Sequence, residues 1–154
     1  MKLIIFYFNK ITKEYKEIFE YYFKKLIKNI NINIIELEEY SKADFVSNQL
    51  KNEELINKKI KDFKDFELFL LDINSKQYTS IEFAKIIENN KNFKSAKIGF
   101  IIGPSDGFSN EFKKNFNKKI SFGNLTLPHQ LVRIILLEQI YRAFKIINNE
   151  PYHK

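Results

Sequence analysis

The sequence predicts an α/β domain with a mostly parallel central sheet and helices on both faces. Two observations carry that prediction. Short apolar runs rich in Ile, Leu and Phe alternate along the chain with stretches whose apolar residues recur at helical spacing. The chain also has 154 residues, 44% of them hydrophobic, which suits about one domain spanning 1–154 and gives it ample core. No linker, repeat or second core is visible along it.

Leu3–Phe8 is an apolar run and reads as a buried strand. Tyr15, Ile18, Phe19, Tyr22, Phe23, Leu26 and Ile27 then recur at the spacing of an amphipathic helix. Ile30, Ile32 and Ile34 alternate into a second strand. Residues 38–62 are polar and lysine-rich, with a weak helical pattern through Phe45, Leu50, Leu55, Ile56 and Ile60. Phe66–Leu71 is a third strand. Thr79-Ser80-Ile81-Glu82 has the form of a capping box, which opens a helix to about Asn90. Lys97–Ile102 is a fourth strand and ends in Gly103-Pro104-Ser105-Asp106-Gly107. Ser109 can cap a short helix through Phe116, and Ile120–Phe122 is a brief fifth strand. After the loop Gly123–Leu127, Pro128 stands at or near the first turn of a last helix that runs to about Asn148. That helix is apolar nearly all round, as expected of one buried on more than one side, and a contact with a second subunit would cover part of it.

Composition excludes several classes. There is no cysteine, so disulfides, thiol nucleophiles and thiolate metal sites are ruled out, and two histidines make a histidine metal centre improbable. No apolar run is long enough to span a bilayer, and the start lacks a signal-peptide cleavage pattern, so a soluble, cytoplasmic protein with no membrane partner is expected. The net charge of +7 suits a polyanion such as nucleic acid, although a lysine-rich composition alone could produce it. All four glycines, all three prolines, both histidines and both arginines lie from residue 99 onward. Where lysine is so freely used, two arginines suggest a need for the planar guanidinium fork. Glu138 and Arg142 are four apart on the last helix and can pair. Arg133 reads equally as a subunit contact or an RNA contact, and His129 as a helix-start residue shaping the adjacent loop.

In open parallel sheets, ligands bind beyond the carboxyl ends of the strands. Those ends are Leu71-Asp72, Gly103–Gly107 and Gly123–Pro128. The Gly103-x-x-x-Gly107 spacing is neither a dinucleotide fingerprint nor a P-loop. A sheet of this kind is open to a nucleotide-binding enzyme of flavodoxin-like architecture, or to a non-catalytic basic α/β dimer that grips RNA.

The stretch Leu125-Thr126-Leu127-Pro128-His129-Gln130-Leu131-Val132-Arg133 is followed by Glu138-Gln139-Ile140-Tyr141-Arg142-Ala143-Phe144-Lys145-Ile146 and by Glu150-Pro151-Tyr152-His153-Lys154. Together with Leu70-Leu71-Asp72 and Ile101–Gly103, these segments resemble the RlmH family of SPOUT-superfamily rRNA methyltransferases. Two positions depart from the family pattern: Pro104 stands where a second glycine is usual, and Gly123 where serine is frequent. The resemblance implies a C-terminal trefoil knot, a homodimer, S-adenosylmethionine as co-substrate and no metal. It further implies methylation of N3 of a pseudouridine in 23S rRNA within the assembled ribosome. Carried over by position, the cofactor contacts are Leu71, Gly103, Pro104, Gly123, Asn124, Leu125, Thr126, Leu127 and Pro128. On the same basis Arg142 would stabilise the base anion or its phosphate, while His153 or Tyr152 would handle the N3 proton.

Overall fold

Five strands, all parallel, form the sheet of the computed structural model, which describes residues 1–154. They are β1 (Lys2–Phe8), β2 (Asn31–Leu37), β3 (Glu67–Leu71), β4 (Lys97–Ile101) and β5 (Lys119–Ile120). Their order is β2-β1-β4-β3-β5. β1 is buried from Leu3 to Phe8 because successive side chains alternate between two covered faces. Leu3, Ile5 and Tyr7 join one apolar cluster; Ile4, Phe6 and Phe8 join another on the opposite face.

The first face is covered by α1 (Lys13–Leu26), α3 (Ser80–Phe93) and α5 (His129–Ile147); the second by α2 (Phe45–Ile60) and α4 (Asn110–Lys114). The capping box is realised: the Glu82 amide donates to Thr79, and the Thr79 amide donates to the Glu82 carboxylate. Gly99, at the sheet centre, is a close-approach position. A Cβ there would stand 2.5 Å from Leu68 and 2.7 Å from Ile4.

Three local readings are amended. The fifth strand is Lys119–Ile120 rather than Ile120–Phe122: beyond the end of β3, Ser121 makes only an isolated parallel bridge with Gln77, and its Oγ lies 3.0 Å from both the Ile73 and Gly123 carbonyls. α2 turns polar residues inward: Asn48, Asn52 and Glu53 are buried, whereas Phe45 and Leu50 are exposed. Asn52 bridges the amide and carbonyl of Tyr40, and Glu53 accepts from the Ser109 amide, so these groups are satisfied inside. Finally, most of the apolar circumference of α5 packs within the chain, on the sheet and between α1 and α3. Leu131 and Ile135 join neither apolar cluster and, with Glu138 and Arg142, form one stripe along the helix whose members are each half-buried. No helix is long and apolar enough to cross a membrane.

Candidate cofactor cavity and the cluster on the last helix

Beyond the carboxyl ends of β3, β4 and β5 lies a cavity of about 270 Å³. Leu71 ends β3 on its wall. Gly103 and Pro104 follow β4, and Gly123, Leu125, Thr126 and Leu127 form the loop before α5. These are the strand-end segments that sequence singled out. Asn124 and Pro128 belong to the same loop but do not line the cavity. Asn124 accepts a hydrogen bond from Gln77, and Pro128 is exposed at the start of α5. Gly123 has φ +132°, a conformation that side-chain-bearing residues rarely adopt, so the loop's course depends on glycine there.

The cavity also holds a charge pair and an imidazole. Asp72 accepts from Lys113 Nζ at 3.1 Å, and the Asp72 side chain is only 9% exposed. Nothing in the sequence distinguishes Lys113 from its many counterparts; only the fold sets it opposite the β3 end. His129 lines the same wall. Burial pushes its imidazole below the ordinary value, Glu39 pulls it back up, and Arg133 pushes it down again.

A polar frame fixes the loop after β4. Glu39 accepts from the Ser105 amide (2.8 Å), the Ser105 hydroxyl (3.0 Å) and the Asn9 side-chain amide (2.8 Å). Arg133 anchors the other end of this frame. It donates to the carbonyls of Asn9 (3.0 Å) and Phe8, and its guanidinium lies 4.1 Å over the Tyr7 ring. At 3% exposure Arg133 is a buried clasp at the end of β1. Neither a subunit contact nor an RNA contact describes it: the fork is spent on backbone carbonyls inside the chain.

Arg142, Tyr152 and His153 do converge, around Glu138. Arg142 Nε and Nη2 donate to Glu138 Oε1 at 2.9 and 2.5 Å, and the Tyr152 hydroxyl donates to the same oxygen at 3.2 Å. Arg142 stacks 4.8 Å over the Tyr152 ring, and its Nη1 lies 3.4 Å from His153 Nδ1. The Glu138 hydrogen bond raises the Arg142 pKa, which keeps it a permanent cation. Burial, a hydrogen bond with Tyr22 and the Glu138 charge all push the Tyr152 phenol up, so it stays protonated. None of the three lines the cavity. Arg142 is ten residues beyond the cavity-lining Val132, about 15 Å along a helix axis.

A family model described as predicted SPOUT methyltransferase matches residues 1–153. The chain belongs to that family. Relatives of this SPOUT-family chain named "Ribosomal RNA large subunit methyltransferase H" include one from Mesoplasma florum, 53% identical over the full length of both chains. Another, from Mycoplasma capricolum, is 48% identical, again over both full lengths. One from Fusobacterium nucleatum is 43% identical over 85% of this chain and 84% of its own. Among solved structures, a probable methylase family protein from Haemophilus influenzae superposes with a TM-score of 0.56 at 10% identity. That likeness covers 96% of this chain and 66% of the other, and it is one of fold. The sheet of the SPOUT chain thus agrees with the α/β class expected from its sequence.

Proposed function

We propose that this chain transfers a methyl group from S-adenosylmethionine to N3 of a pseudouridine in 23S rRNA. It does so in the cytoplasm, on the assembled ribosome, as a homodimer. The observation that carries this reading is the strand-end cavity of a SPOUT-family chain, built from seven of the nine residues nominated for the cofactor. The full-length relatives named as rRNA methyltransferases supply the substrate class. The family's trefoil knot and a single domain over 1–154 belong to the same reading.

The cavity residues suit this co-substrate. Leu71, Ile102, Phe122 and Leu127 offer apolar walls to a nucleoside, and the Asp72–Lys113 pair offers both an acceptor and a donor to the polar part of the ligand. When bound, S-adenosylmethionine supplies an electrophilic methyl group on a sulfonium. The chain's own residues act on the RNA. N3 of a uracil-type base carries a proton and becomes nucleophilic only when that proton leaves. Arg142 stabilises the negative charge that then spreads over the flanking carbonyl oxygens. With the Tyr152 phenol held protonated, His153 is the acceptor for the proton, and the Tyr152 ring supplies a stacking surface.

Within one chain the cluster and the cavity stand apart, which motivates the dimer. If the stripes of two α5 helices pair antiparallel about a two-fold axis, Arg142, Tyr152 and His153 of one chain would come against the start of the partner's α5, the segment that in each chain lines the cavity through His129 and Val132. Exposed Ile18 and Tyr21 of α1 extend the apolar area available to such a contact.

Complementation tests the arrangement. Deleting residues 152–154 should abolish methyl transfer to ribosomes from a strain lacking this gene, while leaving the dimer folded. Mixing that chain with a Gly123 variant defective in cofactor binding should restore part of the activity in the heterodimer. Full activity of the deletion alone would remove the tail from the mechanism, and failure to complement would place the site within one chain. No binding of S-adenosylmethionine at millimolar concentration would end the methyltransferase reading altogether.

A further inference from the structure

A short tandem, Lys61-Asp62-Phe63 and Lys64-Asp65-Phe66, occupies the turn between α2 and β3. Residues 61–63 form a 3₁₀ turn and 64–65 continue as a turn, so residues three apart eclipse one another. Like therefore stacks on like. Lys61, Lys64, Phe63 and Phe66 all line a second cleft, of about 490 Å³, at the amino end of β3. The two aspartates do not line it, and Asp65 instead pairs with Lys97. The repeat thus sorts its cations and rings into the cleft and its carboxylates out of it.

The opposite wall is Asn115, Phe116, Asn117 and Lys118, with Asn57 on α2. Phe63 and Phe66 are braced edge-to-face at 5.5 Å, and Phe116 packs 5.3 Å from buried Phe112, so the rings are held in place. Lys61 and Lys64 are exposed and enter no ion pair. Glu67 is the one carboxylate in the wall, and Lys94, Lys118 and Asn90 already bond it. Burial opposes its ionisation, but those hydrogen bonds outweigh burial and hold the carboxyl down at about 2. An anion entering the cleft therefore meets two free ammonium groups and a neutralised carboxylate.

We propose that this cleft is a second RNA site, which grips a single-stranded segment of the RNA substrate. Lys61 and Lys64 would take phosphates, Phe116 would stack a base, and the asparagine amides would meet base edges. The cleft lies at the end of β3 opposite the cofactor cavity, about 13 Å away along the strand. It holds RNA without touching the reacting base. The identity of that RNA as ribosomal rests on the function proposed above; the cleft itself does not.

The test uses the full-length protein and a fluorescein-labelled ten-nucleotide oligouridylate, followed by fluorescence anisotropy. Lys61→Glu with Lys64→Glu should weaken binding at least about tenfold. Exchange of the same lysines for Gln should flatten the dependence of log K on log salt by about 1.4, two contacts at ~0.7 each. Phe116→Leu keeps an apolar side chain but removes the ring, and should cost at least about fivefold. Lys85→Glu with Lys91→Glu, which makes the same charge change on exposed α3 positions outside the cleft, should cost much less. With ribosomes as substrate, the cleft reversal should raise KM and leave kcat and S-adenosylmethionine affinity unchanged. Oligonucleotide affinity within twofold of wild type, or an equal loss in the α3 control, would overturn the proposal. A wild-type protein that binds the oligonucleotide but never methylates ribosomes would sink the proposed function and leave the cleft standing.

Discussion

Arg133→Ala removes a guanidinium on which the end of β1 depends. Its terminal nitrogens donate to the Phe8 and Asn9 carbonyls, and its plane covers the Tyr7 ring at 4.1 Å. Each bond from a charged donor contributes roughly 1.5–3 kcal/mol, and the ring contact about 1 kcal/mol. Against them stands Arg133 Nε, buried without a partner, whose desolvation cost of about 1–3 kcal/mol the substitution relieves. The balance is a loss of about 3 kcal/mol, or about 6–12 °C in melting temperature for a chain of this length. Urea denaturation at fixed protomer concentration measures it. Arg133→Lys should recover less than half, because one ammonium cannot serve both carbonyls and the ring together. An RNA-binding arginine behaves otherwise: unfolding stays put and KM for ribosomes rises. A stability change below about 1 kcal/mol with a raised KM would refute the clasp.

Three further outcomes are expected. Arg142→Lys keeps the charge but loses the fork that meets Glu138 and His153, so most methyl transfer should disappear while calorimetric affinity for S-adenosylmethionine holds; activity within about twofold of wild type would show that charge alone suffices. His129 binds its proton less readily folded than unfolded, so stability should be full above about pH 6.5 and decline as pH falls through that value. His129→Gln should flatten that part of the stability profile, and an unchanged slope would acquit His129. Gly123→Ala forces a side chain onto φ +132° at a cost of about 1–3 kcal/mol, which should appear as cofactor affinity lowered about tenfold or more in a titration.

What could be read from the sequence follows from the range of the interactions involved. Strands and helices came from periodicity, and the Thr79 capping box is a four-residue signal that the fold keeps. The strand-end loops were legible because glycine and proline cluster there and because the resemblance to a known family covers the same residues. α2 misled for a physical reason. Its apolar spacing holds at Ile56, which is fully buried, but Asn48, Asn52 and Glu53 share that inner face because Ala43, Asp106, Tyr40 and Ser109 satisfy their side chains, so Phe45 and Leu50 are left exposed. Arg133 was ambiguous because its partners, Phe8 and Asn9, lie at the other end of the chain. The Asp72–Lys113 pair was invisible for the same reason: lysines are everywhere and only tertiary structure selects one.

The strand order has a consequence for how the molecule comes into being. β1 sets Lys2 opposite Asn31 on one side and opposite Lys97 on the other. The first pairing closes a short loop, whereas the second must wait for most of the chain and bears a larger closure entropy. The larger apolar cluster waits longer still, because Ile134, Leu136, Leu137, Ile140 and Ala143 of α5 belong to it. A partly synthesised chain therefore exposes the apolar face of a half-built sheet, with no strand-end cavity to offer a ligand. Part of the cavity wall, from Leu125 to Val132, arrives only with the last helix, so a ligand of that cavity would report that folding has finished rather than assist its early steps.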